Sequence, residues 1–520
     1  MGCRGAKLRA ASGVVRQLPG PATWKDIQGA TPPPVEMWPR RTRQRSVQRV
    51  WIPARGEGVP TTSGGQEDMG SQSGIDAAVV GADLEVPLVG GASERYVNLD
   101  YAASAPALVE VWAAVQAFLP WYSSVHRGAG FRSQVATAAY EDAREAVRAF
   151  VGGRTDDAVL FTRNTTDSIN LLARCLPTGT VVITTGVEHH ANLLPWRRHG
   201  AIELPVPGSP DELMERLQQA LRRRPADRPA LVAVTGASNV TGEVWPLAEL
   251  AALAHEHGAR VFVDAAQLAP HRPIDMSGLD LDWVAFSGHK LYAPFGTGAL
   301  VGRADWLAAA EPYLAGGGAV VEVSTEGVTW ASLPDRHEGG SPNVVGAIAL
   351  AAACTALGAI GMDEVARQEI RLGDLLRTTL DRVPGLVSYS TWPGPCDRVG
   401  VAAFNLPGRD HAEVATILSA EYGIGVRNGS FCAHPLLVYL AGGGLDGWRP
   451  GCGLRVPGAI RASFGLGNRA EDLQRLGEAL LEIAEHGPRW TYRAAPDGSV
   501  SPMPDDRNWP RLPFVPACPL

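Results

Sequence analysis

The sequence predicts an α/β protein with a mostly parallel sheet, followed by a smaller C-terminal α+β domain. Three observations carry this. Short β-branched or apolar runs recur from residue 96 onward, amphipathic stretches separate them, and after about residue 360 helices dominate the pattern. The runs are Ala158–Thr162 (AVLFT), Val181–Thr184 (VVIT), Leu231–Thr235 (LVAVT), Val261–Asp264 (VFVD), Trp283–Ser287 (WVAFS) and Gly298–Val301 (GALV). In Ala136–Phe150, Pro210–Arg224 and Leu247–His257 apolar residues recur at spacings of three and four, the helical signature. Strand alternating with helix implies parallel strands covered on both faces. Ligands of such sheets bind beyond the carboxyl ends of the strands.

The later segment predicts helices over Asp363–Arg382, His411–Glu421 and Ala470–Glu485, with strands at Val401–Asn405, Ile424–Arg427 and Ala459–Phe464. Four regions follow: a basic extension over 1–94, a large α/β domain over 95–360, a small α+β domain over 361–486, and an irregular Pro- and Trp-rich tail over 487–520. The extension reads as disordered or dispensable, and Met37 or Met69 are alternative starts.

Composition narrows the function. With 45% hydrophobic and 19% charged residues in 520, the chain is not wholly disordered, collagen-like or a coiled coil. The net charge of −7 divides into +8 over residues 1–60 and −15 over the rest, and an acidic body does not suggest nucleic-acid binding. A transmembrane span would need a run of 18 or more apolar residues, and a signal peptide an apolar core in the first thirty; neither is found, so no membrane is expected. Seven scattered cysteines without a CxxC pair argue against a disulfide framework or a zinc cluster. A reducing cytoplasm is the expected location.

The sharpest compositional signal is lysine. There are 44 arginines and three lysines, Lys7, Lys25 and Lys290. Lys290 follows an apolar strand in the run SGHKLYAPFGTG. Arginine can replace lysine as a surface charge, but its guanidinium does not lose a proton and cannot form a Schiff base. A surviving surface lysine is the plain alternative. The functional reading is an anchor for an aldehyde cofactor, and its further needs have candidates. Asp264, ending the strand VFVD, would hold a protonated ring nitrogen, and Gln267 would donate to a phenolic oxygen. Thr165 and Thr166, between strand and helix, with Ser287 and His289 in the lysine loop, would bind a phosphate. His189 in EHHANLLPW would cover the ring and move protons. Taken singly, a threonine before a helix is commonly an N-cap and an aspartate after a strand a turn former. The adjacent histidines His189 and His190 have no third metal ligand nearby, so no metal is expected.

These motifs resemble a known family. YVNLDYAASAP from Tyr96, VHRG from Val125, FTRNTTDSIN from Phe161, EHHANLLPW from Glu188, SNVTG from Ser238, VDAAQ from Val263, SGHKLYAPFGTG from Ser287 and EGGSPN from Glu338 stand in the order of the class V aminotransferase fold. They are most similar to Suf-type cysteine desulfurases and selenocysteine lyases. The resemblance covers about residues 95–485 and implies a fold-type I pyridoxal-phosphate enzyme with a seven-stranded large-domain sheet, acting as a homodimer. By position it assigns the cofactor linkage to Lys290, ring contacts to His189, Asp264 and Gln267, and phosphate contacts to Thr166, Ser287 and His289, with Thr165 and Asn239 as further candidates. Cys432, in VRNGSFCAHP, stands where the family's sulfur-accepting cysteine stands, and Arg461 matches the arginine that binds the substrate carboxylate, with Asn239 a second substrate-binding candidate. The implied reaction converts L-cysteine to L-alanine, leaving sulfur as a persulfide on Cys432 for an acceptor protein.

The chain also departs from the pattern. Ser430-Phe431 precede Cys432 where Suf-type enzymes tend to carry histidines, Ala293 replaces a usual glycine, and a glycine-rich insert lies between Cys432 and Arg461. Two other functions therefore stand beside desulfuration: another class V reaction (selenocysteine lyase, C–S lyase or epimerase), and a noncatalytic scaffold retaining the fold.

Overall fold

A computed structural model describes residues 75, 77–442 and 456–510 of the chain. Seven strands form the central sheet in the order Ala158–Thr162, Gly298–Gly302, Trp283–Ser287, Arg260–Asp264, Ala230–Thr235, Val181–Thr185, Ile202–Leu204. Gly298–Gly302 is antiparallel to both neighbours, and the pairs from Trp283–Ser287 to Ile202–Leu204 are parallel. Each strand predicted for this sheet is present to within one residue. Ile202–Leu204 is the added member, too short to stand out from the sequence around it.

The apolar runs are long because both faces are covered. Leu231, Ala233 and Phe262 pack on one side with Leu172 and Trp196. Val232, Val234 and Val263, one residue out of phase, pack on the other with Leu217 and Leu250. Each such Val, Leu or Phe contributes about 1.5–3 kcal/mol of burial free energy. Among the described residues, no single helix is long and apolar enough to cross a membrane.

A second sheet of five strands runs Val387–Ser388, Val401–Asn405, Ala459–Ser463, Ile424–Gly429, Val97–Leu99. It packs with helices Met362–Leu380, His411–Tyr422 and Ala470–His486 around a core of its own that includes Phe404, Ile417, Ile460 and Leu476. The helices and strands expected after residue 360 are present here, with one strand added from earlier in the chain. Val97–Leu99, expected to open the large domain, pairs in parallel with Ile424–Gly429. Three residues carry no periodicity that could reveal a partner more than 300 positions away.

Two boundaries also move. Residues 79–94, expected in a dispensable extension, pack on the body: Glu85–Pro87 pairs with Ser93–Arg95, Val79 bridges Leu108, and Val89 N donates to Ala420 O at 2.9 Å. Val79 and Leu88 are buried, so this stretch belongs to the fold. The expected irregular tail contains a hairpin of Tyr492–Ala494 with Val500–Pro502. Residues 1–74, 76, 443–455 and 511–520 lie outside the described residues, and with them most of the expected extension and of the glycine-rich insert.

Candidate active site

Five strands end on one side of the large sheet, at Thr162, Thr185, Thr235, Asp264 and Ser287, and the polar residues that follow them line one cleft of about 280 Å³. Register sets the depth, since Asp264 lies level with Thr235 and Ala285 on the adjacent strands. Its carboxylate is buried, accepts a hydrogen bond from Ala266 N at 3.0 Å, and is held above its ordinary pKa by burial.

Lys290 opens into the same cleft from the turn after Trp283–Ser287. Burial pushes its amine down to about 8, Asp264 pulls it up, and the Arg461 cation pushes it down again. His189 also lines the cleft. Its Nδ1 accepts from Ala191 N at 3.1 Å, which leaves any ring proton on Nε2. Burial, reinforced by Lys290, holds the imidazole down to about 3, so the ring is neutral at physiological pH.

The anion-binding end is built where strand Ala158–Thr162 turns into helix Thr165–Cys175. Asn164 Oδ1 caps the helix by accepting from Asp167 N at 3.0 Å. Ser287 Oγ accepts from Thr165 N at 2.8 Å and lies 2.6 Å from Thr165 Oγ1, so the lysine strand and the helix start share hydroxyls. Asn164, Thr165, Thr166, Ser287 and His289 face the cleft together. Gln267 behaves differently from its expected donor role: Nε2 donates to Ala102 O at 2.8 Å, and the buried Oε1 has no partner. An orphaned amide oxygen beside a buried carboxylate, an amine and a hydroxyl-lined helix start suits a flat, polar-edged aromatic aldehyde bearing a phosphate.

One buried group escapes the sequence reading. Glu188 is fully buried, with Thr185 Oγ1 donating to Oε1 at 2.9 Å and Asn192 Nδ2 to Oε2 at 2.7 Å, while Asn192 Oδ1 accepts from Trp196 Nε1 at 2.8 Å. Burial pushes its carboxyl up to about 8, with the Asp264 charge adding to the rise. A raised carboxyl pKa means that the folded chain binds the extra proton, so this contribution to stability is full below about pH 4.3 and is lost as pH rises toward 8. Glu188→Gln, which cannot ionise, should match the parent in acid and become more stable relative to it by about 1.4 kcal/mol per pH unit across that window. Thermal unfolding of both proteins from pH 4.5 to 8 tests this, and parallel Tm profiles would refute a neutral Glu188.

The second sheet supplies the far wall. Arg461, on strand Ala459–Ser463, is 3% exposed. It donates Nη1 to Asn239 O at 2.9 Å and Nη2 to Asp100 Oδ1 at 3.2 Å, and its buried Nε has no partner. Asp100, missed in the sequence, thus fixes the guanidinium. Asn239, expected to contact both cofactor and substrate, lines the cleft but gives its Nδ2 to Phe431 O at 2.9 Å. Cys432 is exposed at the cleft edge, and its carbonyl accepts from His190 N at 2.7 Å. Phe431 and Cys432 both lie in the left-handed region, at φ 50° and 53°, a costly conformation for residues with a Cβ. The two neighbouring histidines diverge, with ring centroids 6.4 Å apart at 45°.

Comparison with known proteins places the chain in a family. The family model "Aminotransferase class-V" matches residues 97–476. A cysteine desulfurase of Escherichia coli (strain K12 / DH10B) is 38% identical over 397 residues, covering 74% of this chain and 92% of that protein. Among solved structures, the E. coli cysteine desulfurase CsdA in an S-sulfonic acid form superposes with a TM-score of 0.64 at 36% identity, covering 75% of this chain and 95% of that one. The apo cysteine desulfurase of Thermococcus onnurineus NA1 gives 0.66 at 32% identity with the same coverages.

Proposed function

The chain belongs to the aminotransferase class-V family and is a cysteine desulfurase; we propose that Lys290, Asp264, His189, Arg461 and Cys432 carry its reaction. The observation supporting this most directly is their convergence on one cleft, with a partnerless Arg461 Nε at one wall and an exposed thiol at the rim. The family is pyridoxal-phosphate-dependent. In this chain Lys290 would hold the aldehyde, Thr165, Thr166, Ser287 and His289 the phosphate, Asp264 and Gln267 the polar edge of the ring, and His189 one face.

When bound, the cofactor supplies an electron sink for the pair left at Cα. The protein does the rest. Arg461 grips the α-carboxylate of L-cysteine through its free Nε edge, a fork geometry that suits two oxygens. Lys290 Nζ, which burial leaves partly neutral at pH 7, takes the Cα proton. Neutral His189 offers its Nε2 proton and helps to exclude water. Cys432 Sγ, as thiolate, attacks the substrate sulfur: the S–S bond forms, the Cβ–S bond breaks, and its electron pair stays with the carbon fragment. That fragment takes one proton at Cβ, regains the Cα proton from Lys290 and leaves as L-alanine, while the substrate sulfur remains as the outer atom of a persulfide on Cys432.

The thiol's exposure suits onward transfer to an acceptor protein, and a reducing compartment such as the cytoplasm would keep it free. In a homodimer a second copy of the chain would cover the exposed apolar side chains Trp112, Leu119, Trp121, Tyr122 and Phe131, of which Trp121 and Phe131 meet edge to face. The testing experiment incubates the purified protein with L-cysteine and measures L-alanine together with the mass of the Cys432 peptide. Alanine with one added sulfur on that peptide is expected; alanine without it removes the role given to Cys432. Arg461→Lys should raise KM for L-cysteine about 10- to 100-fold with kcat nearly unchanged, since an ammonium loses the two-point grip. Steady-state kinetics check this.

A further inference from the structure

Phe431 joins the two ends of the substrate site. Its ring lies over the Arg461 guanidinium, with Cζ 5.0 Å from the ring centroid. Its carbonyl accepts from Asn239 Nδ2 at 2.9 Å, and Asn239 O in turn accepts from Arg461 Nη1 at the same distance. The next residue is Cys432, whose carbonyl is held by His190 N. One short circuit of contacts therefore runs from the arginine, through Asn239 and Phe431, to the thiol.

The geometry of a guanidinium separates two uses of the same group. Hydrogen-bond donors lie in its plane and an aromatic ring stacks on its face. The Arg461 Cζ sits over the Phe431 ring, while the in-plane Nε is a buried donor with no hydrogen-bond partner, a demand that a carboxylate would meet. A ring packed against this cation, which is 3% exposed, helps to keep water from it and so strengthens any in-plane charge contact. The backbone consequence is equally direct. Phe431 and Cys432 both adopt left-handed φ values, a pair of conformations that persists only when surrounding contacts hold it. The ring on Arg461 and the two carbonyl hydrogen bonds are those contacts.

We propose that Phe431 is a positioning and specificity-determining residue: it presents the Nε edge of Arg461 to the carboxylate of a compact α-amino acid and ties Cys432 to the other end of that substrate. The proposal rests on the reading of Arg461 as the carboxylate grip. Because one peptide unit links the covering ring to the thiol, the site favours a substrate whose sulfur lies on Cβ over longer thioether conjugates. It also predicts that occupancy of Arg461 is felt at Cys432.

The test uses the holoenzyme and three variants, Phe431→Ala, Phe431→Leu and Arg461→Lys. L-Alanine is the probe, because it carries the carboxylate without the sulfur. Its dissociation constant is measured by spectral titration, and the rate of Cys432 alkylation by iodoacetamide is followed by peptide mass with and without it. Phe431→Ala should weaken L-alanine about 5- to 30-fold, the range of a desolvated cation–π contact, and speed alkylation several-fold. It should also abolish the effect of L-alanine on alkylation. Phe431→Leu keeps apolar volume and should lose affinity with a smaller gain in alkylation, which answers the question if the alanine variant does not fold. Parental affinity and alkylation in both Phe431 variants, with weak binding in Arg461→Lys, would overturn the role of Phe431 alone. Parental affinity in Arg461→Lys would overturn the carboxylate reading beneath it.

Discussion

Lys290→Arg should lower kcat/KM for L-cysteine by at least about 10⁴-fold, although it keeps the positive charge and nearly the same reach. The loss follows from proton affinity. In the cleft, burial and the Arg461 cation lower the lysine amine to about 8 against the pull of Asp264, so about a tenth of it is neutral at pH 7. A guanidinium remains protonated there, and it neither attacks an aldehyde nor accepts the Cα proton. The sequence offers a clean measurement, because Lys7 and Lys25 are the only other lysines. Borohydride reduction in the presence of pyridoxal phosphate should place the cofactor mass on the Lys290 peptide of the parent, and Lys290→Arg should lose both this adduct and alanine formation. A variant that turned over L-cysteine at even a hundredth of the parental rate would exclude Lys290 from the chemistry.

Why Lys290 was legible at all bears on the rest of the site. It stood out because the chain uses arginine almost everywhere else, so chemistry and composition disagreed at one position. Asp264, His189 and Ser287 were legible from their places just beyond strands whose ends the apolar runs define to within a residue. Those runs were readable because both faces of the sheet are buried. Val97–Leu99 and the strands at Glu85–Pro87 and Ser93–Arg95 were not, since three-residue strands take their identity from long-range partners. Arg461 looked like a strand charge until the family pattern singled it out. Glu188 was visible as a letter in EHHANLLPW, but its burial depends on Thr185 and Asn192 closing around it. An acid four residues before an Asn that itself precedes a Trp by four is the only local hint. Asp100 gave no such hint, because its partner Arg461 lies 361 positions away.

Cys432→Ser should reduce alanine formation from L-cysteine about 10³-fold or more while leaving KM within about twofold. A serine hydroxyl occupies nearly the same space, but at neutral pH it is not an anion and cannot form the S–S bond that takes the sulfur away. Arg461 and Lys290 are untouched, so binding and the cofactor linkage persist. Stability should change by less than about 0.5 kcal/mol, because Cys432 is exposed. The other described thiols cannot substitute. Burial pushes Cys175 up to about 12 and Cys354 higher still, and Cys396 is also raised by burial. Neither Cys175 nor Cys354 is open to solvent. Limited iodoacetamide should therefore label Cys432 before these three, and the extent of that labelling should track the fraction of activity lost. If labelling of Cys432 went to completion with alanine production intact, the sulfur would have to leave the substrate by a route that needs no protein thiol at the cleft edge.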